Sequence, residues 1–111
     1  MTADIKHLRL GDVELAYSVY GEDKKGTPIV FVHGYMGRAT GQPYDELLNL
    51  LARDRPVYAI DMRGHGGSAD AMTQWSLNVL ADDVVAFTQA LGLEKPVFAG
   101  HSLGAFVGLL A

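Results

Sequence analysis

The sequence predicts an α/β domain: a sheet that opens with an antiparallel hairpin and continues as parallel strands, with helices on its faces. Three observations carry that expectation. Two alternating segments, 5–10 and 13–20, flank Gly11-Asp12, a two-residue hairpin signal. Three short apolar runs, at 29–32, 57–60 and 97–99, have the unbroken apolar character of strands buried on both faces of a parallel sheet. Segments of helical periodicity alternate with those runs, which is the order of a sheet covered by helices.

Each element has its own local reason. In the hairpin, Leu8 and Leu10 share one face, as do Val13, Leu15, Tyr17 and Val19. Residues 21–27 are polar and read as a loop. Pro28, Pro56 and Pro96 each stand before an apolar run, where a lost backbone donor costs least. The spacing predicts a helix over 43–53, carrying Tyr44, Leu47, Leu48 and Leu51, with Pro43 at its first position and Asp45 and Glu46 in its first turn. A second helix is expected over 77–91. Leu77, Leu80, Val84, Phe87 and Leu91 form one stripe there, and Gly92 supplies the stop. From Ser102 a third helix begins, small and apolar. With no repeat and no linker, residues 1–111 read as a single domain.

Composition narrows the function classes. The chain has 111 residues, of which 49% are apolar and 20% charged, an ordinary balance for a globular domain. There is no cysteine, so disulfides, thiolate metal sites and thiol catalysis are excluded. The net charge of −4 argues against nucleic acid or an anionic membrane as partner. The amino terminus lacks an apolar targeting core, and no run approaches the roughly 20 residues of a membrane span, so a cytoplasmic protein is expected. The 13 glycines exceed the usual share of about 7%.

In a parallel sheet, sites gather at the carboxyl ends of the strands, so the three loops after the apolar runs matter most. The third is Gly100-His101-Ser102-Leu103-Gly104, a G-x-S-x-G pattern between a strand and a helix. A serine at the tip of so sharp a turn needs small residues two before and two after it. The turn then exposes the hydroxyl and leaves the Leu103 amide free to donate to an oxyanion. The first loop, His33-Gly34-Tyr35-Met36-Gly37, can bring a second amide, that of Tyr35, beside the serine; the His33 side chain is expected to bond nearby backbone. The second loop runs from Asp61 to Ser68. Its Gly64-His65-Gly66-Gly67-Ser68-Ala69 fits G-x-G-x-x-A, with Asp83 downstream, but a dinucleotide site needs those glycines to open a helix directly and the acid to end a strand. Asp61 and Arg63 are expected to brace neighbouring turns instead. His7, His33, His65 and His101 fall in separate elements without H-E-x-x-H spacing, so neither metal nor cofactor is expected.

Together these three loops, in this order and behind a leading hairpin, resemble the amino-terminal part of an α/β-hydrolase. The resemblance covers the whole chain. It implies Ser102 as nucleophile, with the Leu103 and Tyr35 amides as oxyanion donors, in a serine-dependent hydrolase that cleaves an ester or related small carbonyl substrate through an acyl-enzyme. Serine at the elbow argues against the family branches with aspartate there, the haloalkane dehalogenases and epoxide hydrolases. Carbon–carbon hydrolases, haloperoxidase-like enzymes and some lyases share the pattern. One departure is large. The family's catalytic acid and histidine follow the serine, yet none of the residues after Ser102 is acidic or histidine. A fragment of a longer protein, cut after the elbow, is therefore expected, with its last strand an open edge. The alternative is a hydrolase-like binding module without catalysis, since fold alone does not decide function.

Overall fold

The computed structural model describes residues 3–35, 37–68 and 76–111. Strands β1 (Lys6–Leu10) and β2 (Val13–Tyr20) form the antiparallel hairpin, turning through Gly11 at φ +63°. β2 then pairs antiparallel with β4 (Val57–Ile60). β3 (Ile29–Val32) pairs parallel with β4 on one side and with β5 (Val97–Gly100) on the other, which gives the order β1-β2-β4-β3-β5. The α/β class and the strand placement thus follow the apolar pattern.

Two apolar layers sandwich the sheet. On one face, Leu48 and Ala52, at α1 (Asp45–Leu51) and its end, pack with Phe31, Val57 and Ala59. On the other, α2 (Leu77–Ala90) and α3 (Leu103–Leu110) cover Val13, Leu15, Val30, Val32 and Ile60. The α2 stripe works as its spacing demands: Leu80, Val84 and Phe87 are fully buried, and Phe87 meets Tyr17 edge-on at 5.0 Å. Ser76 caps the helix by accepting the Val79 amide. At its end Gly92 takes φ +66°, while the Leu93 and Gly92 amides donate back to Thr88 and Gln89, a Schellman stop.

Two expectations need correction. Pro43 is not the first helical residue; α1 starts at Asp45, with Tyr44 as its N-cap, because the Asp45 amide is drawn back to the Gln42 carbonyl in a preceding turn. The apolar run at β5 is not buried on both faces. Val97 is 46% exposed, and among the described residues β5 has a neighbour on one side only. Met36, in the first loop, and Ala69, which ends the G-x-G-x-x-A pattern, lie outside the described residues. That pattern leads into a short 3-10 turn, Gly66–Ser68, and Asp83 sits inside α2 rather than at a strand end.

The connection β3-α1-β4 leaves β3 on one flank, and β4-α2-β5 returns to the other. The chain therefore reverses direction between β3 and β5. In an open α/β sheet that reversal opens a crevice at the carboxyl ends of the two strands. Here those ends are His33-Gly34 and His101-Ser102.

Candidate active site

Ser102 follows β5 and caps α3 with φ +56° and ψ −114°, a conformation that a residue with a side chain adopts only under constraint. The constraint is visible on both sides. The His101 amide continues the β-ladder to the Val32 carbonyl at 3.1 Å, and the Gly104 amide returns to the His101 carbonyl at 3.0 Å. One residue must absorb the whole change of direction between them. A methyl group at Gly100 would run into the Gly104 backbone, and one at Gly104 into the Val32 carbonyl, so the small residues around the serine are steric requirements. Ser102 is exposed, and its hydroxyl does not cap the helix. Among the described residues the Leu103 amide has no backbone acceptor, as expected for the first turn of a helix.

The first loop comes to the same place. The space beside Gly34 is filled by His101 Nδ1 at 3.2 Å and Ser102 Cβ at 3.6 Å from where a side chain would begin. Tyr35, the next residue, is 61% exposed at this mouth. Of the predicted trio, Ser102 and Leu103 thus stand at the N-terminus of α3, and Tyr35 follows the Gly34 that adjoins them. His33 points the other way. It is fully buried, its Nδ1–H donates to the Gly34 carbonyl at 2.6 Å, and its Nε2 accepts the Met62 amide at 3.0 Å. An amide can only donate, so His33 is the neutral Nδ1–H tautomer, and burial pushes its pKa below the ordinary value. His65 Nδ1 bonds the Arg63 carbonyl at 3.0 Å, and its ring lies 5.0 Å from that of His33 and edge-on to Tyr35 at 5.9 Å.

Beneath the mouth, Asp61 ties the first and second loops together. One carboxylate oxygen accepts the Ala39 and Thr40 amides at 2.6 and 2.9 Å; the other accepts the Gly67 amide at 2.8 Å and the Thr40 hydroxyl. Ser68 accepts the Ala16 amide and donates to the Asp61 carbonyl, each at 2.8 Å, where the β2–β4 ladder runs out. Arg63 forms a fork on Asp83 of α2 at 2.9 and 3.0 Å and reaches Asp12 of the hairpin turn at 3.5 Å. Sequence reasoning assigned bracing to Asp61 and Arg63 but missed Thr40, Ser68 and Tyr44. Thr40 and Ser68 are common loop residues whose partners lie 21 and 52 positions away, so no local pattern marks them.

A profile of the alpha/beta hydrolase fold matches residues 27–111, which includes β3, the second loop and the serine turn. The chain belongs to the alpha/beta hydrolase fold family. Within it, the chain is 39% identical over 84 residues to the dihydrolipoyllysine-residue acetyltransferase component of the acetoin cleaving system of Pseudomonas putida, an alignment of 76% of this chain and 22% of that protein. It superposes on Est816, an N-acyl homoserine lactone degrading enzyme, with a TM-score of 0.81 and 33% identity, over 95% of this chain and 39% of that one. It also superposes on the Q244E mutant of a candidate epoxide hydrolase from Pseudomonas aeruginosa, with a TM-score of 0.82 and 28% identity, over 97% and 35% of the two chains. The chain thus spans between about a fifth and two-fifths of the length of these family members. No helix among its described residues is long and apolar enough to cross a membrane.

Proposed function

We propose that this chain carries the nucleophile and oxyanion site of a serine-dependent hydrolase acting on an ester or related small carbonyl compound. The observation that carries the reading is the backbone of Ser102: an exposed serine held at positive φ, at a helix N-terminus, beside the point where the strand order of the sheet reverses. Strain at one non-glycine residue costs about 1–3 kcal/mol and persists where the surrounding structure imposes it. Acyl chemistry on two of the related proteins, by their names, agrees with this reading. An epoxide hydrolase branch with an aspartate nucleophile needs a carboxylate at position 102, where this chain has serine.

In the proposed reaction Ser102 Oγ attacks the carbonyl carbon while a base takes its proton. The carbonyl oxygen becomes an anion facing the Leu103 and Tyr35 amides. Collapse expels the alcohol or thiol, which recovers the proton, and leaves an acyl-serine; water then releases the acid by the reverse route. Among the described residues no histidine or carboxylate bonds the Ser102 hydroxyl. His33 bonds backbone through both ring nitrogens, His65 bonds the Arg63 carbonyl through Nδ1, His101 turns to Tyr44, and His7 lies on β1 at the opposite edge of the sheet. The base and its orienting acid are therefore proposed to come from residues outside 1–111, and this chain to be one part of a larger catalytic domain.

The test is labelling with a fluorophosphonate, followed by peptide mass analysis. Slow phosphonylation at Ser102, absent in Ser102→Ala and accelerated when a downstream acid and histidine are supplied, is the expected result. Ser102-independent labelling overturns the reading. An unreactive Ser102 even in the extended protein favours the binding module, a reading supported by the lack of a base beside the hydroxyl.

A further inference from the structure

His101 precedes the serine, yet its ring is held by a residue from another element. Tyr44 Oη lies 3.2 Å from His101 Nδ1, and the two rings meet edge-on with centroids 6.2 Å apart. Tyr44 is itself fixed. Its backbone caps α1 and accepts the Leu48 amide at 2.8 Å, and its ring rests edge-on against Phe31 of β3 at 4.7 Å. The His101 backbone is pinned between the Val32 carbonyl and the Gly104 amide. Gly34 closes the same ring edge, since Nδ1 is the atom nearest to where its side chain would begin. The Nδ1 edge is therefore in contact with Tyr44 and the Gly34 backbone, in a residue that is itself exposed.

Chemistry decides which partner donates. A phenol is a far better proton donor than a neutral imidazole N–H, and an unprotonated imidazole nitrogen is a better acceptor than a phenol oxygen. Tyr44 O–H therefore donates to Nδ1, which leaves the proton of neutral His101 on Nε2. We propose that Tyr44 is a positioning residue that locks His101 as the Nε2–H tautomer, so that His101 offers a hydrogen-bond donor beside Ser102 and selects acyl groups bearing an oxygen acceptor a few atoms from the scissile carbonyl. The selectivity rests on the serine-hydrolase reading; the tautomer lock does not. A donor that lacks an acceptor in the bound state is penalised by desolvation, so an ether or carbonyl oxygen is favoured over a methylene of the same size.

The experiment uses the 111-residue chain labelled with 15N-histidine at pH 8 and follows His101 by long-range 1H–15N correlation. The wild type is expected to show a single Nε2–H pattern, and Tyr44→Phe a mixture of tautomers or the Nδ1–H form. The chain is then titrated with methyl methoxyacetate and with methyl butyrate, which differ by one oxygen in place of a methylene. The ether is expected to move the His101 Nε2 signal at least threefold more than butyrate, and Tyr44→Phe to reduce that ratio toward one. A wild-type Nδ1–H pattern, or an unchanged pattern in a folded Tyr44→Phe, overturns the lock. Equal or absent shifts with the two esters in the wild type overturn the selectivity. Ser102→Ala should leave the tautomer signal intact, so failure of the nucleophile in the labelling experiment is read separately from failure here.

Discussion

At the scale of single residues, Ser102 holds an energetic cost that glycine would not. Ser102→Gly is expected to stabilise the chain by about 1 kcal/mol, because glycine accepts φ +56° without strain, while abolishing fluorophosphonate labelling. Equal or lower stability in urea denaturation would show that the turn is not strained. Gly104 tolerates no side chain: Gly104→Ala drives a methyl into the Val32 carbonyl and should cost about 3 kcal/mol, near the upper end for overpacking. His33 sets a pH dependence. Its folded pKa lies below the ordinary value, so the unfolded chain binds a proton that the folded chain refuses. Its contribution is complete above about pH 6.5, is lost as pH falls toward the folded pKa, and levels off below that. The denaturation midpoint should therefore drop between pH 7.5 and 5.5, by more in the wild type than in His33→Asn. Parallel drops in both proteins would assign the effect elsewhere.

At the scale of elements, the first and second loops are joined by the Asp61 carboxylate and by the bond from the Met62 amide to His33. Asp61 is fully buried and receives the Ala39, Thr40 and Gly67 amides and the Thr40 hydroxyl. Asp61→Asn replaces one acceptor oxygen by an NH2 that faces those donors. It should destabilise by about 3 kcal/mol, the range for losing one partner of a buried charge-assisted network. Amide exchange should quicken first at Ala39, Thr40 and Gly67 and later in β3 and β4. Uniform quickening would mean that Asp61 supports the whole core rather than these loops. The helices need less explanation beyond their sequence. The α2 stripe and its glycine stop were legible, because a helix's partners lie three or four residues away; the Ser76 cap came from the structure. The start of α1 was not, because it is settled by the Gln42–Asp45 turn and by Tyr44 docking on Phe31.

At the scale of the whole molecule, β5 is a sheet edge with Val97 exposed, and α3 beside it shows Phe106, Leu109 and Leu110 to solvent. An apolar edge with unpaired backbone groups recruits further strands. The purified chain is expected to self-associate with rising concentration in sedimentation velocity, and Val97→Lys to shift it toward monomer. A wild-type chain that stays monomeric would contradict this. The sequence by itself determined the α/β class, the hairpin, the strand positions and the glycine-flanked serine, because these rest on period, turn chemistry and steric rules acting over a few residues. Only the tertiary structure decided that β3 lies between β4 and β5, which places His33-Gly34 against His101-Ser102. It alone showed that Asp61 gathers donors from two loops, and that Tyr44 reaches His101 across 57 positions of chain. Those pairings follow from how helices pack on the two faces of the sheet, and no spacing along the chain encodes them.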